Sequence, residues 1–86
     1  MYIHLGGDVL VKKDKIVAII DLEMTKVSQV NQIFLENMKN HYRNIRYISE
    51  LGREKTLIVT INDLFFSPIS SMTLFKRSSM QIGNDY

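Results

Sequence analysis

The sequence contains no cysteine and no tryptophan, and only one proline among its 86 residues. Without cysteine there is neither a disulfide nor a thiolate metal site, and such a composition is typical of a reducing compartment. The longest apolar run is the five residues Ile16–Ile20, far short of the ~20 that span a bilayer. The start of the chain has no basic region followed by an apolar stretch, so no signal peptide is predicted. We therefore expect a cytoplasmic protein that makes no contact with a membrane.

The residue patterns that catalytic and metal sites require are also missing. The two histidines, His4 and His41, are far apart in sequence and do not form the clustered ligand set that a metal site needs. No serine lies in a nucleophile motif, and no glycine-rich phosphate loop is present. Asp21 and Glu23 form the densest acidic pair, but single pairs of this kind are usually solvated. We expect neither enzymatic activity, nor a metal or cofactor, nor a small-molecule ligand.

The length of the chain indicates a single domain that needs support from a partner. A chain of this size buries only roughly 60–65% of the surface that its unfolded form exposes. Small domains usually compensate with disulfides, metals or self-association. Because the sequence offers neither disulfides nor a metal-site pattern, we expect the chain to oligomerise.

Positive charge is concentrated in the middle of the chain. The net charge is only +2, but residues 39–55 carry five cations against Glu50 and Glu54, a local net of +3. A basic segment can attract phosphate groups, while ordinary scatter of charge on a solvated surface is the alternative. Basic residues also cluster in two predicted turns, namely Lys12, Lys13 and Lys15 in the first, and Arg53 and Lys55 in the second.

The first half of the chain predicts a hairpin, a strand and a helix. Two apolar segments around the turn Gly6-Gly7-Asp8 predict a β-hairpin over residues 2–12. Ile16–Ile20 is apolar on both faces, and both must be covered; we expect a helix on one face and a neighbouring subunit on the other. Helical spacing runs from Met24 to about Tyr42. Its apolar stripe comprises Val27, Val30, Phe34, Met38 and His41, widened by Ile33, and Thr25 or Ser28 is the expected N-cap.

The second half predicts three short strands and a short helix. The strands are residues 45–48, 57–61 and 64–66, with Gly52 in the turn between the first two. Pro68 ends the last strand because proline lacks the donor that a central strand needs. Ser70 or Ser71 is expected to cap a short helix that ends at Lys76, followed by a loose tail. The predicted fold is α+β, a small antiparallel sheet with one main helix and a short C-terminal helix, as a single domain over residues 1–77 with a tail over 78–86.

Four segments together resemble the RemB branch of the RemA/RemB family of small bacterial extracellular matrix regulators. They are MYIHLGGD at the start, IVAIIDLE, LIVTI and, most distinctive, FFSPISSMTLFKR. The resemblance extends from Met1 to about Arg77 in the same order and spacing. It implies a cytoplasmic regulator of biofilm matrix genes with a LytTR-like fold. For the RemA branch it implies a closed ring of identical subunits with DNA along its rim, an octamer being one candidate size.

The resemblance also implies which residues contact DNA. The family's arginine before the third strand corresponds to Lys15, and its two arginines after a glycine correspond to Arg53 and Glu54. Lys15 is still basic and Arg53 is unchanged. Glu54 is acidic, so the third contact is lost unless Lys55 replaces it. Lysine is a point charge without the bidentate fork of arginine, so weaker DNA binding or another partner is an alternative.

Two functions follow from the sequence. The first is a ring-forming transcriptional regulator that grips the backbone of double-stranded DNA. Its expected DNA-binding residues are Lys15, Arg53 and Lys55, with Lys12, Lys13 and Arg46 as secondary candidates. The second is an oligomeric protein–protein interaction module without DNA binding, for which the docking surface would comprise Phe65, Phe66, Ile69, Leu74 and Phe75. For these apolar side chains, an ordinary place in the core is the simpler alternative.

Overall fold

The computed structural model describes residues 2–25, 29–50 and 52–83 of the chain. The strands are β1 (Tyr2–Gly6), β2 (Val9–Lys12), β3 (Ile16–Asp21), β4 (Asn44–Tyr47), β5 (Thr56–Thr60) and β6 (Asp63–Ser67). The helices are α1 (Leu22–Thr25), α2 (Gln29–His41) and α3 (Ser71–Gly83), and a 3-10 turn covers Lys13–Lys15. None of the described helices has the length and apolar composition to cross a bilayer.

The strands form two sheets. β1 and β2 pair as the predicted antiparallel hairpin, in which Gly6 and Gly7 have φ values of +117° and +54°. Such values suit glycine, which lacks the Cβ atom that would clash. The second sheet has the order β3-β5-β6-β4, with β3 and β4 at its edges. The α+β class is thus confirmed.

The expectation of an antiparallel sheet is wrong for one strand pair. β4 runs parallel to β6, with Asn44 opposite Asp63 and Tyr47 opposite Phe66. The chain after β4 crosses the far end of β6 before it enters β5. The Ile48 N–H donates to Phe66 O at 2.9 Å, and the Lys55 N–H donates to Ser67 O at 2.8 Å. Strands that follow each other in sequence need not be neighbours in space, and the mostly exposed β4 suits a sheet edge.

Two apolar layers cover the four-stranded sheet. On one face, Ile58 and Phe65 pack with Ile3 and Leu5 of the hairpin and Leu74 of α3. The opposite face has a second buried cluster, to which the sheet contributes Leu57, Val59, Leu64 and Phe66. Leu35 and Met38 of α2, and Tyr42 directly after the helix, are partly buried against this cluster. Alternate residues of β5 and β6 thus face opposite layers, as strand geometry requires.

The predicted cover for the Ile16–Ile20 strand is confirmed on one face, where α2 packs, and wrong on the other, where the hairpin takes the place expected for a neighbouring subunit. Ile16 and Ile19 pack against the hairpin layer, and Ala18 and Ile20 pack against the α2 layer, so the chain itself covers both faces. The open part of β3 is its outer edge. A register shift between Ile16 and Ala18 leaves Val17 66% exposed.

The helices also differ from expectation. Helix α2 lies within the predicted helix from Met24 to about Tyr42, while Val27 and Ser28 lie outside the described residues. The buried face of α2 is formed by Leu35 and Met38, whereas Ile33 and Phe34 of the predicted stripe are 55% and 44% exposed. The predicted stripe is therefore confirmed at Met38 and wrong at Ile33 and Phe34.

The C-terminal helix is longer than predicted. Ser70 is the cap, since its Oγ accepts from the Thr73 N–H at 3.2 Å, but α3 continues to Gly83 instead of ending at Lys76. The helix is therefore longer than the short one that was predicted, and it includes residues 78–83 of the predicted tail. Residues 84–86 lie outside the described part of the chain.

Most of the residues predicted to form the docking surface of the protein–protein alternative lie in the core. Phe65, Phe66 and Leu74 are at most 5% exposed, and Phe75 alone among the five is largely exposed, at 53%; Ile69 is partly buried. Large apolar side chains of a small domain are needed inside, where their burial stabilises the fold. The prediction that these five residues form an exposed docking surface was therefore wrong.

Candidate nucleic-acid interface

Three of the six predicted DNA-binding residues line one groove. Lys12 ends β2, Lys15 precedes β3 and Arg46 lies on β4. They surround a cavity of about 320 Å³, to which Tyr2, Thr60 and Asp63 also contribute. All three cations are exposed, so their charges are accessible from solvent.

Strand pairing explains why these distant residues meet. Ile16 at the start of β3 pairs with Thr60 at the end of β5, and the Ile61 N–H donates to Lys15 O at 3.2 Å. At the same end of the sheet, β4 and β6 begin side by side. Tyr2 enters the groove because it is the cross-strand partner of Lys12 in the hairpin.

Aromatic and polar contacts organise the groove. The Cζ atom of Arg46 lies 5.8 Å from the ring centroid of Phe65, a distance at which a guanidinium is attracted by the ring. Asp63 is the acidic residue that lines the groove, and the Thr60 side chain fixes its backbone. The Thr60 Oγ1 accepts from the Asp63 N–H at 2.8 Å and donates to the Asp63 carbonyl at 2.9 Å. With three cations and one acid, the groove has a formal charge of about +2 and suits an anionic ligand.

Arg53 and Lys55 lie in a different place. They line a cavity of about 420 Å³ together with Glu23, Glu54 and Gly52. Gly52 has a φ of +92°, which confirms the predicted turn. Both cations are exposed, but two acids share their cavity, so its formal charge is close to zero.

The two basic clusters lie at opposite ends of the sheet. Lys15 is held beside Ile61, and at the other end of β5 the Lys55 carbonyl accepts from the Leu22 N–H at 2.9 Å. The five residues of β5 lie between Lys55 and Ile61, and the six steps from one to the other correspond to about 20 Å. One subunit therefore presents two separate basic clusters instead of a single patch.

Glu54 lines the same cavity as Arg53 and Lys55 but is less exposed than they are. Arg53 and Lys55 are exposed, whereas Glu54 is half-buried and its Oε2 atom is enclosed without a hydrogen-bond partner. The carboxylate that replaces a basic residue of the family thus lies partly withdrawn from any phosphate that Arg53 or Lys55 would contact.

Lys13 differs from the other candidates in that its side chain makes a hydrogen bond within the described part of the chain. It is half-buried, and its Nζ donates to the Ser78 carbonyl of α3 at 3.4 Å. Across residues 2–25, 29–50 and 52–83, no acidic side chain lies within 4.0 Å of a lysine or arginine nitrogen. The remaining candidate cations are therefore free of ion pairs that a phosphate would have to break.

Comparison with known proteins gives the family that the chain resembles. A family model described as "RemA-like: Extracellular matrix regulatory protein A-like" matches residues 2–77. The chain is 35% identical over 85 residues to "Extracellular matrix regulatory protein B" of Bacillus subtilis (strain 168), and the match covers 99% of both chains.

Proposed function

This chain belongs to the RemA-like family of extracellular matrix regulatory proteins, and we propose that it regulates matrix and biofilm genes by binding double-stranded DNA as a ring-shaped homo-oligomer. The membership confirms the resemblance seen in the sequence and supports a regulatory role. The LytTR-like fold, the ring and the DNA contacts are parts of the proposal.

The groove of Lys12, Lys15 and Arg46 carries the proposal. Three exposed cations converge there around a cavity with a net positive charge. Lysine and arginine side chains bind DNA phosphates and release counterions, which supplies most of the sequence-independent affinity. The three cations of the groove lie on or beside β-strands, and none of them lies on an α-helix that could enter the major groove and read base edges. Recognition would therefore depend on the DNA backbone and its shape.

The edges of the four-stranded sheet support self-association. Among the described strands, β3 pairs with β5 alone and β4 pairs with β6 alone, so each keeps an edge that another chain can pair with. Near the β3 edge, Val17 and Ile61 are 66% and 64% exposed. Pairing of a β3 edge with the β4 edge of the next subunit is a head-to-tail contact, and such contacts generate rings when the rotation closes.

A ring would compensate for the few cations of each subunit. A single subunit presents Lys12, Lys15 and Arg46 at one end and Arg53 and Lys55 about 20 Å away. Repeated around a ring, these clusters bind the same DNA through effective concentration. The structure gives less support to the protein–protein alternative, because most of the side chains predicted to form its docking surface are buried.

Single charge deletions test the groove. In fluorescence anisotropy titrations of a labelled duplex, Lys15→Ala and Arg46→Ala should each weaken binding several-fold and flatten the dependence of log K on log salt by about one for each subunit in contact. Arg53→Ala examines the second cluster in the same way.

Lys76→Ala is the matched control. Lys76 is also an exposed cation, but it lies on α3 outside both cavities, so its removal should change affinity by less than about twofold. Equal effects of Lys76→Ala and the two groove variants would mean that net charge, and not the groove, determines binding. Unchanged affinity in both groove variants would show that the site is wrong.

A further inference from the structure

The groove of Lys12, Lys15 and Arg46 also contains an exposed aromatic side chain. Tyr2 lines the groove and is 53% exposed. Cations alone are sufficient to hold phosphate groups, whereas an aromatic ring at the surface suits a ligand that presents a flat face on which it can stack. The groove thus combines two binding chemistries, one for phosphate and one for a ring.

Strand pairing places the ring of Tyr2 beside a cation. Tyr2 is the cross-strand partner of Lys12, and directly opposite residues of an antiparallel pair have Cβ atoms about 4.5–5.5 Å apart. The neighbouring residues Ile3 and Val11 lie on the other face of the hairpin, where they are 1% and 7% exposed. Tyr2 and Lys12 therefore share the outer face with the exposed Leu10, which also lines the groove.

The hairpin that carries Tyr2 is fixed to the rest of the domain. The next residue, Ile3, packs with Leu74 of α3, and the Nη1 atom of Arg77 donates to the His4 carbonyl at 2.7 Å. The folded chain therefore sets the backbone position of Tyr2 before any ligand binds. A preorganised site of this kind loses less conformational entropy on binding.

The ring of Tyr2 is available to a ligand. Within the part of the chain that the structure describes, no other ring stacks on it and no cation lies over it. Tyr47 provides the contrast, because its ring is stacked on that of Phe66 with centroids 4.6 Å apart. Tyr2 can therefore receive a ring from outside the subunit.

Asp63 and the size of the groove agree with a ligand that carries a base. A phosphate gains nothing from the Asp63 carboxylate, which also lines the groove, because like charges repel. The amino group of a base, in contrast, can donate to a carboxylate. The volume of about 320 Å³ lies at the lower end of the 300–1,000 Å³ typical of small-molecule sites, so one nucleotide is the appropriate size of occupant.

We propose that this groove binds an unpaired nucleotide of DNA, with its base stacked on the Tyr2 ring and the adjoining phosphates held by Lys12, Lys15 and Arg46. A base inside a paired duplex is covered by its neighbours in the stack, so only an unpaired base offers a face to Tyr2. The nucleotide can come from a single strand or from a bulge in a duplex. This inference rests on the proposed function, because its ligand is DNA and its site is the same groove.

Fluorescence anisotropy titrations of four labelled DNAs test the proposal. They are a paired duplex, the same duplex with one unpaired adenine, the same duplex with an abasic nucleotide in place of that adenine, and the single strand. The abasic bulge keeps the extra phosphate and the altered shape of the duplex but lacks the base. The adenine bulge should bind at least about fivefold more tightly than the abasic bulge, because stacking of the base on an aromatic ring is lost in the latter.

Two variants of Tyr2 and one control locate the base. Tyr2→Ala should bind the adenine and abasic bulges equally and should leave the affinity for the paired duplex within about twofold of the wild type, because the three cations remain. Tyr2→Phe keeps the ring and should keep the preference for adenine. Phe75→Ala should keep it too, since Phe75 is also 53% exposed but lies on α3 and does not line the groove. Circular dichroism establishes that each variant is folded.

The single strand identifies the source of the nucleotide. If the single strand also binds in a way that Tyr2→Ala weakens, a free strand supplies the nucleotide as well as a bulge does. If only the adenine bulge shows this dependence, the nucleotide comes from within a duplex.

The outcomes separate this inference from the proposed function. Equal binding of the adenine and abasic bulges, or a preference for adenine that survives in folded Tyr2→Ala, would overturn the inference, while saturable binding of the paired duplex would leave the proposed function standing. Binding of unpaired DNA that depends on Tyr2, without binding of the paired duplex, would support the inference and contradict the duplex as the target. Absence of binding to all four DNAs would overturn both.

Discussion

Replacement of Ser67 by alanine should destabilise the protein far more than the loss of one hydroxyl suggests. Ser67 is fully buried, and its Oγ connects three segments of the chain. It donates to the Leu5 carbonyl of β1 at 2.5 Å and accepts from the Ile69 N–H at 3.0 Å. The hydroxyl thus joins the hairpin to the end of β6 and to the turn that leads into α3.

The magnitude follows from what remains after the change. Alanine leaves a buried acceptor on Leu5 and the Ile69 N–H without their partner, and each unsatisfied group costs about 1–3 kcal/mol. We expect the free energy of unfolding to fall by about 2–4 kcal/mol, which is a large part of the stability of a small domain. Urea denaturation followed by circular dichroism measures this change, at one protein concentration because association adds to stability.

Ser49→Ala is the matched control. The Ser49 hydroxyl makes one long contact, 3.4 Å to the Glu50 carbonyl at the surface, so its loss should change stability by no more than about 0.5 kcal/mol. A loss below about 1 kcal/mol in Ser67→Ala would refute the reasoning, because it would mean that the Leu5 carbonyl and the Ile69 N–H find other partners.

Two further changes test the edge strand and the hairpin turn. Val17→Lys should lower the oligomer mass measured by light scattering, because a charge on an exposed strand edge opposes pairing. Met72→Lys, at a similarly exposed position on α3, should leave the mass unchanged. Equal masses of the wild type and Val17→Lys would contradict the edge contact. Gly6→Ala should cost about 1–3 kcal/mol in urea denaturation and more than Gly7→Ala, because the φ of Gly6 is +117°, outside the left-handed region occupied by Gly7 at +54°. A larger loss in Gly7→Ala would contradict this assignment.

Local patterns in the sequence predicted most of the elements but not their arrangement. The hairpin followed from two alternating segments around Gly6-Gly7, and Ser70 was one of two expected caps. The parallel position of β4 beside β6 could not be predicted, because it depends on where residues 48–55 cross the sheet. The length of α3 was missed because the residues after Lys76 have no clear apolar period, and helix ends are set partly by tertiary contacts.

The candidate groove was predictable in its charges but not in its grouping. Lys12, Lys15 and Arg46 were singled out by charge and resemblance, yet only the pairing of β3, β5, β6 and β4 brings them together. Tyr2 was missed, although the hairpin register that places it opposite Lys12 could have indicated it.

The most direct test of DNA binding is the salt dependence of wild-type affinity for duplex DNA, measured by fluorescence anisotropy. At about 0.9 per phosphate contact, the five free candidate cations of one subunit account for a slope no steeper than about −4.5 in log K against log salt. We predict saturable binding with a steeper slope, because several subunits contact the same duplex. Absence of binding at low salt would contradict the proposed function, and a slope shallower than that of one subunit would contradict the ring.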